Sequence, residues 1–81
     1  MVRTIHFNSK IRSVALRKRP WLSQNHNETD VLAYLKPSEE KTVKRIDGQI
    51  YYDHIDNEYY RICMNDGRVG YINKKAFVEV S

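Results

Sequence analysis

Eighty-one residues carrying a formal net charge of +4, 41% hydrophobic side chains and one cysteine describe a single small domain with material for one modest core. That size leaves little room for an enclosed catalytic cavity, a lone cysteine cannot staple the chain to itself, no apolar run approaches the roughly 18 residues of a membrane-spanning helix, and Met1–Lys10 lacks the apolar run of a secretory signal. The charge is uneven: residues 1–45 hold ten basic and four acidic side chains, residues 46–81 four and six, and the first nineteen hold six basic groups and no acid, a polarity that invites an acidic partner.

In chain order, residues 1–10 read as a basic N-terminal arm ahead of a barrel over residues 11–81. β-branched and aromatic residues recur with period two and nowhere with a sustained period of 3.6, so the class is all-β. Ile11–Leu16 is the first predicted strand, ended by Arg17-Lys18-Arg19-Pro20 because proline cannot donate to a ladder. Trp21–Asp30 is a long polar loop. Val31–Lys36 is a short apolar stretch closed by Pro37-Ser38, and Thr42–Ile46 is the next strand. Asp47-Gly48 signals a turn, after which residues 47–57 form a loop or an extra short hairpin. Glu58–Met64 is a strand with Tyr60, Ile62 and Met64 on one face and Tyr59, Arg61 and Cys63 on the other. Asn65-Asp66-Gly67 is a tight turn in which glycine supplies positive φ. Arg68–Asn73 returns beside that strand, with Gly70 marking a bend or a close backbone approach. After Lys74-Lys75-Ala76, Phe77–Val80 is the last of five strands, and this sequence of elements predicts a small five-stranded barrel.

Those elements resemble the bacterial SH3 (SH3b) family over residues 11–80. Val14-Ala-Leu-Arg17-Lys-Arg-Pro20 lies over the family's opening Leu-Asn-Val-Arg-x-x-Pro. Val31-Leu-Ala-Tyr-Leu35-Lys-Pro-Ser38 matches its Val-Ile-x-x-Leu-x-x-Gly, and Tyr59-Tyr-Arg-Ile62 its Trp-Tyr-x-Val. Asp66-Gly-Arg-Val-Gly70-Tyr-Ile72 matches its Asp-Gly hairpin, and Phe77-Val78 its closing Tyr-Val. Tyr59 replaces the family's tryptophan, Ser38 its glycine, and the segment between Ile46 and Tyr59 is longer. The positions with which eukaryotic relatives hold proline-rich peptides carry Arg17 and Asn73 here. The resemblance implies an SH3-like barrel whose long early loop, fourth segment and last turn converge on one groove. It implies a binding module for an extended peptide, most often bacterial cell-wall peptide (peptidoglycan), with Trp21, Asn25, Tyr59, Asn73 and Phe77 in the groove and Arg17, Lys18 and Arg19 as its electrostatic rim.

The residues themselves point away from catalysis. His6, His26 and His54 are scattered and Cys63 has no partner at a catalytic spacing. Asp53-His54-x-Asp56 falls short of a metal-ligand set, and the three glycines form no phosphate loop, so no cofactor is expected. The competing expectation is a free-standing intracellular protein, of phage or mobile-element kind, that binds a host protein or nucleic acid. It places the chain in the cytoplasm if Met1 is the natural start, whereas a piece of a longer chain would belong to the cell surface.

Overall fold

A computed structural model describes residues 3–20 and 31–78. The protein is all-β: among the described residues seven strands form one antiparallel, barrel-like sheet. They are β1 (Arg3–His6), β2 (Val14–Arg17), β3 (Val31–Leu35), β4 (Thr42–Arg45), β5 (Tyr51–Tyr52), β6 (Glu58–Cys63) and β7 (Val69–Asn73). The strand order is β1-β4-β6-β7-β2-β3, with β5 paired to β6 beside β4. One helical turn, Pro37–Glu40, links β3 to β4, and a 3-10 turn, Lys74–Ala76, follows β7.

The sequence predicts five strands; the structure gains three and, among the described residues, loses one. Residues 1–10 are not a detached arm where they are described. Arg3–His6 pairs with Arg45–Thr42 of β4, and Ile5 and Phe7 alternate inward from it. Phe7 N–H donates to the Lys41 carbonyl (2.9 Å) and Asn8 N–H to that of Ala76 (2.8 Å), which pins this segment across the end of the sheet. The apolar stretch from Val31 is a strand antiparallel to β2, its register shifted by a bulge between Leu16 and Arg17, and the extra hairpin in 47–57 exists as β5, Tyr51 opposite Tyr59 and Tyr52 opposite Glu58. The expected last strand reduces, among the described residues, to a single bridge between Phe77 and Phe7.

The core gathers the inward set of each strand: Leu16, Leu35, Val43, Ile62 and Ile72, with Met64, Ala76, Phe7 and Phe77 closing its ends. Each of the larger aliphatic and aromatic side chains contributes roughly 1.5–3 kcal/mol by leaving water. Tyr60 stacks on Phe77 (centroids 5.8 Å apart), Phe77 stacks on Phe7 (4.8 Å), and the Arg45 guanidinium lies 4.0 Å above the outer face of Tyr60. The ring gives that cation a favourable face where its buried Nε has no hydrogen-bond acceptor. Gly70 faces β2 so closely that a Cβ there would lie 2.7 Å from the Arg17 carbonyl oxygen, the close backbone approach that a glycine inside a strand announces.

Candidate functional site

The register of β6 and β7 sets Tyr59 opposite Asn73, and that of β2 and β7 sets Arg17 opposite Tyr71. Residues more than fifty positions apart thereby meet where β7 runs into its 3-10 turn. Two adjoining depressions open there. One, of about 460 Å³, lies between Asp56, Asn57 and Glu58 on one side and Lys74 and Lys75 on the other, with Phe77 behind. The other, of about 250 Å³, is lined by Val14, Ala15, Arg17 and Tyr59. Asn73 and Lys75 line both, so the two form one trough divided by those side chains.

Local chemistry holds the trough in shape. The Asn73 side-chain oxygen accepts from Lys75 N–H (2.9 Å) and caps the 3-10 turn, which fixes where both lysines emerge. Lys74 Nζ reaches Glu58 at 2.9 Å. On the far wall, residues 53–57 wrap around one carboxylate. Asp53 Oδ1 accepts from the backbone N–H of Ile55 and Asn57, and its Oδ2 from Asn57 Nδ2 and the Tyr59 hydroxyl, all within 3.0 Å. Asp56 turns that loop at φ 64°. Burial works against the Asp53 charge, but the donors from Asn57, Ile55 and Tyr59 outweigh it and hold the carboxyl below its ordinary pKa. Burial, then the Asp53 hydrogen bond and charge, pushes the Tyr59 phenol up.

Of the eight residues picked from the sequence, Arg17, Tyr59, Asn73 and Phe77 come together around the trough. Lys18 and Arg19 follow β2 as exposed side chains. Trp21 and Asn25 lie outside the described residues. Two of the aromatics take a different role from the one expected. Tyr59 is 1% exposed, a buried wall held through its hydroxyl, and Phe77 is 7% exposed, part of the Phe7–Tyr60 stack. Exposure falls instead on Tyr34 and Tyr52, at 57% and 55%. Lys74, Lys75, Asn57 and Glu58 also line the trough and are not among the groove residues expected from the sequence. Their signal was present as a lysine pair after Asn73 and a polar cluster before Tyr59, but neither shows its partner without the fold.

Asp53, which with His54 and Asp56 falls short of a metal-ligand set in the sequence, has both oxygens engaged by protein donors. Among the described residues no three His, Cys, Asp or Glu side chains are grouped as metal ligands are, and no helix is long and apolar enough to cross a membrane. No family model matches the chain, and neither does any curated protein or solved structure.

Proposed function

We propose that the protein is a non-catalytic binding module that holds an extended peptide in the trough between the Asp53–Glu58 loop and the 3-10 turn. The observation that supports this best is the double role of Asn73. It stands at the boundary of the two depressions and lines both, while capping the turn that carries Lys74 and Lys75. An extended chain needs a path of this kind, with polar groups to meet its backbone and charges of both signs along the edges. Asn57 and Asn73 supply amides, Asp56 and Glu58 carboxylates, Lys75 and Arg17 cations.

The motif series that resembles the bacterial SH3 family makes cell-wall peptide the first ligand to try. Its SH3-like arrangement is part of the proposal. Burial of Tyr59 and Phe77 shifts the expected contacts from their ring faces to the polar side chains around them. Sedimentation with purified bacterial cell walls, and titration with a synthetic wall peptide, tests the reading with Lys75→Ala and Asn73→Ser, the serine keeping an acceptor for the turn. Both variants are expected to melt like the parent and to lose about tenfold in binding, the scale of one lost charge-assisted hydrogen bond. Undiminished binding by both removes the trough as the site.

A further inference from the structure

A second surface lies on the outer face of the sheet, away from the core; it meets the trough at Arg17 and is otherwise clear of it. Alternation places Lys44 of β4, Arg61 of β6, Tyr71 of β7 and Arg17 of β2 outward; the register sets Arg61 opposite Tyr71 and Tyr71 opposite Arg17, while Lys44, opposite Cys63, stands one diagonal step from Arg61. Four neighbouring strands about 4.8 Å apart, with Lys44 set about 7 Å further along, give a stripe about 16 Å long. It reads cation, cation, aromatic ring, cation. No single strand shows this, because the interleaving runs across the strands. The outward positions of these strands carry no carboxylate, whereas the chain as a whole carries ten. Asp47 approaches from the β5 side, where it accepts from the Tyr51 hydroxyl (2.9 Å) and feels the charges of Arg61 and Arg45. Tyr51 meets Tyr71 edge to face, centroids 5.0 Å apart, which steadies the ring in the middle of the stripe.

We infer that this stripe binds single-stranded nucleic acid. The complementarity is chemical. Phosphates on a flexible backbone suit cations spaced on either side of a ring, and an unpaired base offers a π-face to that ring, which a duplex keeps stacked inside. The three cations are the electrostatic component, and Tyr71 is the component that a simple polyanion cannot use.

Fluorescence anisotropy with end-labelled dT20 and rU20 tests this. Three phosphate contacts predict that affinity falls about twentyfold between 50 and 200 mM salt, since each contact to a single strand contributes about 0.7 to the logarithmic slope. Arg61→Ala, an exposed change that leaves the melt alone, is expected to lower the slope by about 0.7. Tyr71→Leu is expected to lose about tenfold at every salt with the slope unchanged, and Tyr71→Phe to keep the affinity. Lys75→Ala, at a trough residue outside the stripe, is expected to change nothing, while Arg61 and Tyr71 lie outside the trough lining, so these variants separate the inference from the peptide reading even though Arg17 borders both. Absence of binding at 50 mM salt overturns the inference. So does equal affinity for inorganic polyphosphate, equal affinity for a duplex, or an unchanged affinity in Tyr71→Leu.

Discussion

The turn between β6 and β7 and the loop between β5 and β6 each hang on one aspartate, Asp66 in the first and Asp53 in the second. Asp66 is exposed and works locally: its carboxylate accepts from Arg68 N–H (3.0 Å) and Arg68 Nε (2.7 Å), while Gly67, at φ 96°, makes the reversal. Asp53 is 7% exposed and reaches outward in sequence as far as Tyr59, across the mouth of the trough. The first turn therefore needs only its own few residues. The second exists because β6 holds the Tyr59 hydroxyl in place, and in return it holds one wall of the candidate site. A surface turn can be changed with local consequences, whereas a buried carboxylate with four donors ties the shape of the site to the stability of the sheet.

Removing each anchor should separate the two. Asp53→Ala strands the Tyr59 hydroxyl and the Ile55 and Asn57 N–H groups, and orphaned buried donors cost about 1–3 kcal/mol each unless water reaches them. With water entering the outer part of the loop, we expect a loss of about 3 kcal/mol in urea unfolding and weaker peptide binding in the same variant. Gly67→Ala comes next. Nothing lies within 4 Å of the Cβ it would add, so only the left-handed φ is penalised, by about 1 kcal/mol, and binding in the trough should be untouched. Equal losses in the two variants would dissolve the distinction.

The same contrast explains what could be read from the chain. The Asp66-Gly67 turn, the strands it joins and the core face of Tyr60, Ile62 and Met64 follow from nearest-neighbour chemistry and period-two alternation, and the structure has them where the pattern puts them. β1 is also legible in the alternation of Ile5 and Phe7, although the basic residues around it read as an N-terminal arm ahead of the barrel. The convergence of Tyr59 and Asn73 came from the family resemblance rather than from either residue. That Tyr59 is buried could not be read, because it depends on a carboxylate six positions away whose loop contains no glycine to announce it. The stripe of Lys44, Arg61, Tyr71 and Arg17 was hidden for a related reason. Its members sit on four strands, and only the register brings them side by side.

The smallest and most selective difference should appear with pH and salt. Both carboxylates titrate below the ordinary aspartate value of 3.8, Asp66 chiefly through Arg68 N–H, Asp53 through its several donors against burial. A carboxyl depressed in the folded state stabilises it fully above the unfolded value, and that stabilisation is lost as pH falls through the folded one. The contribution of Asp53 should thus be constant from about pH 5 upward and fade below about pH 4. At the other end Tyr59, raised above its ordinary 10.0, stabilises the fold while it keeps its proton and ceases to do so as alkali removes it. One hydrogen bond then fails at both extremes, because protonating Asp53 removes its charge and ionising Tyr59 sets a second negative charge beside it. Chemical unfolding of the parent and of Tyr59→Phe across this range should show a gap that narrows on both sides. Because the Asp53–Tyr59 bond is buried, salt to about 1 M, where the screening length is about 3 Å, should leave the gap at pH 7 in place while it weakens the exposed Asp66–Arg68 pair. A gap that closes in salt at neutral pH would mean that water reaches the Asp53–Tyr59 bond, and the two aspartates would then be surface anchors of one kind.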